Sequence, residues 1–151
     1  MKVNYSDEKI VLDQKSIFLA GPTPRSEGVK SWRPNALEIL SSLGFDGVVY
    51  VPEHKEKAKY FYDDQVEWER AGLMNAQIII FWVPREIETM PAFTTNVEFG
   101  YYLAKSPSKV VYGRPNDAPK NRYLDWLYGK ETNKKPASSL DELLNEAIKL
   151  F

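Results

Sequence analysis

The most informative stretch of the chain is the run Ile78-Ile79-Ile80-Phe81-Trp82-Val83, which is apolar at every position. A strand that is apolar on both faces is typical of the interior of a parallel sheet, because helices cover both faces of such a sheet. The run is too short to span a membrane, which takes ~20 apolar residues. It therefore predicts the central strand of an α/β fold.

Shorter apolar runs on both sides of this strand alternate with helical patterns. The other strands are predicted at Ser16–Ala20, Val48–Val51 and Val110–Gly113, with a short edge strand at residues 10–12. Helices are predicted from about residue 31 to 43, from 64 to about 76, from 95 to about 105, at 123–128 and from 139 onward. Alternation in units of ~30 residues indicates βαβ crossovers and a parallel sheet.

We expect one flavodoxin-like domain over residues 1–151, with a doubly wound parallel sheet and flanking helices. Counted in chain order, the four main strands are expected in the order 2-1-3-4, with room for a fifth strand. The switch point then lies between the first and third strands, and ligands bind there, beyond the carboxyl ends of the strands.

Charge and composition narrow the classes of function. Lys and Arg number 20 against 21 for Asp and Glu, a balance that argues against a partner such as a nucleic acid polymer or a membrane surface. The chain has no cysteine and a single histidine, His54, so a thiolate metal site, a His-rich metal site and a His-based triad are not expected. The charged first residues contain no apolar signal region, and a cytoplasmic protein is the expectation.

Glu98 is the candidate nucleophile. It belongs to the helix after the central strand, and we expect it in the first turn of that helix. The helix dipole and the free N–H groups there would keep a carboxylate ionised, as a carboxylate nucleophile requires. Thr95-x-x-Glu98 also has the spacing of a capping box, so the alternative is that Glu98 only closes its own helix.

Glu69 is the candidate acid. It lies at i+3 from Val66 and i−4 from Leu73, on the apolar face of the preceding helix. Desolvation there raises a carboxyl pKa, so this group could hold a proton near neutrality. One carboxylate and one protonated carboxyl facing one cleft is the arrangement that cleaves glycosidic bonds. The alternative is that Glu69 turns outward and pairs with Arg70 or Lys59.

The loop after the first main strand reads Gly21-Pro22-Thr23-Pro24-Arg25. It offers backbone N–H groups, a hydroxyl and a guanidinium, which suit a phosphate or a sugar hydroxyl. The alternative is a rigid turn with an exposed arginine. The expected strand order places this loop and Glu98 on the two sides of one crevice.

Three segments follow one another along the chain: Ile17-Phe18-Leu19-Ala20-Gly21-Pro22, Gln65-Val66-Glu67-Trp68-Glu69 and Asn96-Val97-Glu98-Phe99-Gly100-Tyr101. In their order and spacing they resemble the nucleoside 2-deoxyribosyltransferase family, in particular its deoxyribosyltransferase-like branch. The resemblance implies a flavodoxin-like fold, a homo-oligomer, and cleavage of an N-glycosidic bond without cofactor or metal. The implied partners are a nucleoside or nucleotide and a free nucleobase.

The resemblance also implies roles for individual residues. Glu98 takes the place of the glutamate that forms a covalent deoxyribosyl intermediate, and Glu69 that of the acid for the leaving base, where relatives usually have Asp. Phe18 stands where the family commonly has a tyrosine that orients the nucleophile, and Ala92 where an acidic residue is common. The implied substrate-binding residues are Phe18, Gly21, Pro22, Thr23, Arg25, Thr95 and Asn96.

Several functions remain open. The first is an enzyme that transfers the sugar of a (deoxy)nucleoside to another base, and a close alternative is a hydrolase of 5′-(deoxy)nucleotides. Another is a non-catalytic nucleotide-binding module of the same fold, which Phe18 and Ala92 favour. The last is an unrelated flavodoxin-like structural domain in which both glutamates are caps or surface groups.

Overall fold

The structure is a computed structural model that describes residues 1–26, 28–55 and 61–151. Its strands are β1 (Lys2–Tyr5), β2 (Ser16–Ala20), β3 (Val48–Val51), β4 (Ile78–Trp82) and β5 (Val110–Gly113). Its α-helices are α1 (Arg33–Ser42), α2 (Tyr62–Asn75), α3 (Phe93–Lys105), α4 (Arg122–Thr132) and α5 (Leu140–Ile148), and a short 3₁₀ helix spans Pro107–Lys109. No helix in the described ranges is both long and apolar enough to cross a membrane.

The strands form one parallel sheet in the order β1-β3-β2-β4-β5. The predicted order of the four main strands is confirmed, and so is the flavodoxin-like α/β class. The fifth strand is β1, which pairs with β3, and the edge strand predicted at residues 10–12 is wrong. Side chains bind the backbone there instead, since the N–H of Val11 donates to Asn4 Oδ1 at 2.8 Å and its carbonyl accepts from the Tyr50 hydroxyl at 2.9 Å.

Two helices start earlier than their sequence signals predicted. Helix α2 begins at Tyr62, two residues before the predicted start at residue 64. Helix α3 begins at Phe93, directly after Ala92, which has a left-handed backbone with φ of 61°. Helix α5 begins close to its predicted start at residue 139, with Ser139 as the N-cap, whose Oγ accepts from the N–H of Glu142 at 3.2 Å.

The sheet separates two apolar cores. Helices α2, α3 and α4 cover one face through a cluster that includes Trp68, Phe99 and Tyr128. Helices α1 and α5 cover the other face through a cluster that includes Leu40 and Leu144. The helices that follow the adjacent strands β2 and β4 therefore lie on opposite faces, and this divergence opens a crevice beyond the carboxyl ends of the two strands.

Candidate active site

A cavity of about 350 Å³ lies in this crevice. Its volume falls in the range of small-molecule sites, roughly 300–1,000 Å³. The loop after β2, the amino-terminal half of α2 and the start of α3 form its walls. The lining residues are Phe18, Ala20, Gly21, Pro22, Thr23, Pro24, Arg25, Arg33, Pro52, Tyr62, Gln65, Val66, Glu69, Pro91, Ala92, Phe93, Thr94, Thr95 and Glu98.

The two candidate catalytic glutamates line this cavity together, Glu69 from α2 and Glu98 from α3. Their charges interact strongly enough for Glu69 to raise the pKa of Glu98. Folding therefore brings together two acidic side chains that are 29 positions apart in the chain. The alternative in which Glu69 and Glu98 are only helix caps or surface groups is therefore wrong, because both side chains line the cavity.

Glu98 lies deeper in its helix than predicted. It is the sixth residue of α3, whose N-cap is Ala92, so it is in the second turn, away from the free N–H groups. The capping-box alternative is therefore wrong, because Thr95 is inside the helix. Burial raises the pKa of Glu98 to about 7, Glu69 adds to the increase, and Arg33 opposes it. The expectation that the helix terminus keeps this carboxylate ionised is corrected: desolvation in the cavity dominates.

Glu69 is held inside the cavity wall by its own helix. Gln65 Nε2 donates to Glu69 Oε1 at 2.8 Å, one turn earlier in α2. Burial raises the pKa of Glu69, as predicted, while Gln65 and Arg33 favour the ionised form. The alternative of an outward ion pair with Arg70 is not observed, and Lys59 lies outside the described residues.

Arg33 is a cavity residue that the sequence reasoning missed. Its side chain is only 1% exposed and donates to the carbonyls of Leu19 and Gly21 at 3.1 and 2.7 Å. It also donates to Thr23 Oγ1 at 3.1 Å and to Glu53 Oε1 at 2.6 Å. These bonds fix the loop after β2 and place a cation near both glutamates. The available signal was an arginine in the first turn of a helix, where the dipole disfavours a cation.

The loop residues predicted to bind substrate all line the cavity. Gly21 is required there, because a Cβ at this position would collide with the Trp82 carbonyl oxygen and the Trp32 ring. The carbonyl of Pro22 accepts from Trp32 Nε1 at 3.2 Å. Thr23 and Arg25 are exposed at the rim, where the Arg25 guanidinium lies 5.8 Å from the centre of the Phe93 ring. The loop is thus rigid at its base and polar at its mouth.

The other predicted contacts divide between the cavity and its surroundings. Phe18 lines the cavity and packs against the rings of Tyr50 and Trp68, and Thr95 lines it from the first turn of α3. Asn96 does not line the cavity, because its Oδ1 accepts from Arg85 Nη2 at 2.6 Å on the other side of the turn. Phe18 has no hydroxyl, and the two tyrosines of α3, Tyr101 and Tyr102, do not line the cavity.

The chemistry that this cavity offers is that of its two carboxyl groups. In the parts of the chain that the structure describes, no group of three or more acidic or histidine side chains is placed to hold a metal ion. Two carboxyls with raised pKa values, a buried guanidinium and a polar rim can supply a nucleophile, a proton and contacts for a polar substrate.

Comparison with known proteins agrees with this geometry. A family model described as nucleoside 2-deoxyribosyltransferase like matches residues 14–117, which include the loop after β2 and both glutamates. The search of curated proteins gave no match. Since the matched range covers more than half of the sequence, the chain belongs to the nucleoside 2-deoxyribosyltransferase-like family.

Proposed function

We propose that this protein cleaves the N-glycosidic bond of a (deoxy)nucleoside through a covalent intermediate on Glu98 and transfers the sugar to another base. The observation that supports this proposal is the pair formed by Glu69 and Glu98, two carboxyls from different helices that line one cavity and both have raised pKa values. Such a pair suits double displacement at a glycosidic carbon.

In the first step, a carboxylate oxygen of Glu98 forms a bond to C1′ of the sugar. The C1′–N bond breaks, its electron pair remains on the base nitrogen, and Glu69 donates a proton to the leaving base. In the second step, a nitrogen of the acceptor base attacks C1′ and gives its proton to Glu69. The ester bond to Glu98 breaks with its electrons on the carboxylate, so both side chains return to their starting state.

The two carboxyls share one proton near neutral pH, and the electrostatics of the cavity favour its position on Glu98, because the charge of Glu69 helps to raise the pKa of Glu98 to about 7. The reactive form, with Glu98 ionised and Glu69 protonated, is reached from this state when the proton moves from Glu98 to Glu69. Arg33 limits the increase in both pKa values, so that one negative charge is retained in the cavity.

A second candidate is hydrolysis of a 5′-(deoxy)nucleotide, and the rim of the cavity favours it. Among the described residues, no carboxylate forms an ion pair with Arg25. The N-cap of α3, Ala92, supplies no side-chain bond to the N–H groups of the first turn, which lies in the cavity wall. A helix terminus and a guanidinium at one rim suit a phosphate group.

Incubation with deoxyinosine and adenine is expected to yield hypoxanthine and deoxyadenosine, separated and quantified by liquid chromatography. The same assay with deoxynucleoside 5′-monophosphates, with and without an acceptor base, distinguishes the two candidates. Base release that needs an acceptor identifies a transferase, and release in water alone identifies a hydrolase. No base release from the four deoxynucleosides or their monophosphates would contradict both and favour a non-catalytic module.

The exposed side of α3 supports the proposal that the protein is a homo-oligomer, as the family resemblance implies. Phe93, Val97 and Tyr101 recur every four residues and are 66%, 73% and 53% exposed. Tyr62 and Val66 of α2 are also exposed and, like Phe93, line the cavity mouth. Two copies related by a two-fold axis would bury this surface against itself, with Val97 near the centre.

Val97→Lys is therefore expected to weaken self-association by roughly 100-fold, because burying an unpaired ammonium from each copy is costly. Sedimentation velocity across a range of concentrations measures the effect. Leu12→Lys, at an exposed apolar position outside this surface, is the matched control and should associate like the parent protein. An unchanged sedimentation profile for Val97→Lys would exclude this surface as the interface.

A further inference from the structure

Arg85 is a buried cation just outside the cavity, and its three partners are all neutral. Its side chain is 5% exposed and follows β4 by three residues. It donates to Asn121 Oδ1 at 3.2 Å, to the Pro91 carbonyl at 2.9 Å and to Asn96 Oδ1 at 2.6 Å. No carboxylate in the described ranges forms an ion pair with it. Burial of a charge without an opposite charge is unfavourable, so this arrangement needs an explanation.

The hydrogen bonds of Arg85 lie on the two sides of Ala92, a residue with a strained backbone. Pro91 precedes Ala92 directly and Asn96 follows it by one turn, and the N–H of Asn96 donates to the Ala92 carbonyl at 3.0 Å. Ala92 has a left-handed backbone with φ of 61°, which non-glycine residues rarely adopt and which persists when the surroundings impose it. Alanine has no polar side chain to stabilise that conformation itself.

The backbone angle at Ala92 sets the direction in which α3 starts. Phe93, Thr94 and Thr95 follow it and line the cavity, and Glu98 lies on the next turn of the same helix. Arg85 also binds Asn121, the N-cap of α4. The side-chain Nδ2 of Asn121 in turn donates to the Ala118 carbonyl at 3.4 Å. Arg85 thus connects the start of α3 to a fixed part of the fold.

We propose that Arg85 is a positioning residue for the candidate nucleophile: its hydrogen bonds hold Ala92 in the left-handed conformation and thereby fix the first turn of α3 and the carboxyl group of Glu98 in the cavity. Arg85 does not line the cavity, so it acts through the backbone of residues 91–96. This inference rests on the proposed function, which assigns Glu98 its role.

The kinetic test compares Arg85→Lys with the parent protein in the base-exchange assay. Lysine keeps the charge, but its single ammonium nitrogen cannot replace the planar guanidinium group, whose three nitrogens donate to three separate oxygens. We expect kcat to fall by about 30-fold or more, since a shift of about 1 Å in a reacting group has effects of this size. All variants are assayed well below their unfolding temperatures, as measured by circular dichroism.

Arg114→Lys is the matched control. Arg114 also follows a strand end and binds Asp125 of α4 through three hydrogen bonds, but it has no bond to residues 91–96. Its replacement should lower stability and leave kcat unchanged. Equal losses of kcat in the two variants would overturn the proposal, because they would indicate a general structural effect.

Glycine at position 92 provides a rescue experiment. Glycine adopts positive φ without strain, so it removes the need for an external constraint. We expect the loss of kcat caused by Arg85→Lys to be at least about tenfold smaller in the Ala92→Gly background than in the parent protein. Equal losses in both backgrounds would overturn the link between Arg85 and Ala92.

A measurement without turnover separates this inference from the proposed function. In protein labelled with ¹³C at the glutamate carboxyls, the Glu98 signal should titrate near pH 7 in the parent protein and closer to the ordinary value of 4.5 in Arg85→Lys, because a displaced turn admits water. Arg114→Lys should titrate like the parent. If no variant shows turnover but this shift occurs, the proposed function fails and the positioning role stands. A Glu98 titration unchanged by Arg85→Lys would overturn the role.

Discussion

Replacing Glu98 with glutamine is expected to abolish base exchange and hydrolysis, with a loss of roughly 10⁴-fold or more. A neutral amide cannot form the bond to C1′ on which the proposed reaction depends. The fold should be preserved, because the Glu98 carboxyl makes no hydrogen bond with any described residue and an amide has the same shape. Glu98→Ala should lose activity to the same degree. The measurement is single-turnover base release with each deoxynucleoside that the parent protein accepts.

Two matched substitutions on α2 complete this test. Glu67→Gln changes an exposed carboxylate two residues from Glu69 and should behave like the parent protein. Glu69→Gln removes only the proton donor, so a smaller loss is expected, of the order of 10²–10⁴-fold. Turnover by Glu98→Gln within tenfold of the parent protein would remove Glu98 from the mechanism.

The sequence was sufficient to predict the four main strands of the sheet, though not the edge strand β1, and to place the two glutamates at one crevice. The six apolar residues 78–83 and the alternation around them determine a parallel sheet, and parallel sheets gather their loops at one edge. Glu69 could be placed on an inner helix face because helical periodicity is a local property. These predictions depend on patterns within short segments, which is why they survive comparison with the structure.

The start of α3 could not be predicted in the same way. Left-handed residues before a helix are usually Gly, Asn or Asp, so Ala92 gave no sign that the helix begins at Phe93. Thr95 looked like the better N-cap, and this shifted Glu98 into the first turn. The structure shows instead that Arg85, which binds Asn121, donates hydrogen bonds to Pro91 and Asn96 on the two sides of Ala92.

The electrostatic state of the cavity was also beyond the sequence. The pKa of Glu98 depends on burial and on Glu69, which lies on another helix, and Arg33 reaches Glu53, 20 positions away. From the local sequence we expected the helix terminus to keep Glu98 ionised. In the structure, burial raises the pKa of Glu98 and outweighs any such effect. Sequence therefore located the two carboxyls but not the order in which they lose protons.

Glu98→Gln is also expected to stabilise the protein above neutral pH. The pKa of Glu98 is about 7 in the folded protein, against an ordinary value of 4.5 in an unfolded chain. Because the folded pKa is the higher one, the folded state favours the protonated carboxyl. Its contribution to stability is fully present below about pH 4.5 and is lost as the pH rises through 7. The difference corresponds to about 3 kcal/mol, which glutamine, neutral at every pH, does not lose.

Urea unfolding at pH 4.5 and pH 8 measures this effect. The free energies of unfolding of Glu98→Gln and the parent protein should be similar at pH 4.5, and the variant should be more stable by about 3 kcal/mol at pH 8. Glu67→Gln, at an exposed position, should show no such pH-dependent difference. A stability difference that is the same at both pH values would mean that water or a cation solvates the Glu98 carboxylate. If the predicted difference is found, burial of the Glu98 carboxyl has two effects. It makes the carboxylate more basic and so a better nucleophile, and it makes the ionised form of Glu98 destabilise the folded protein.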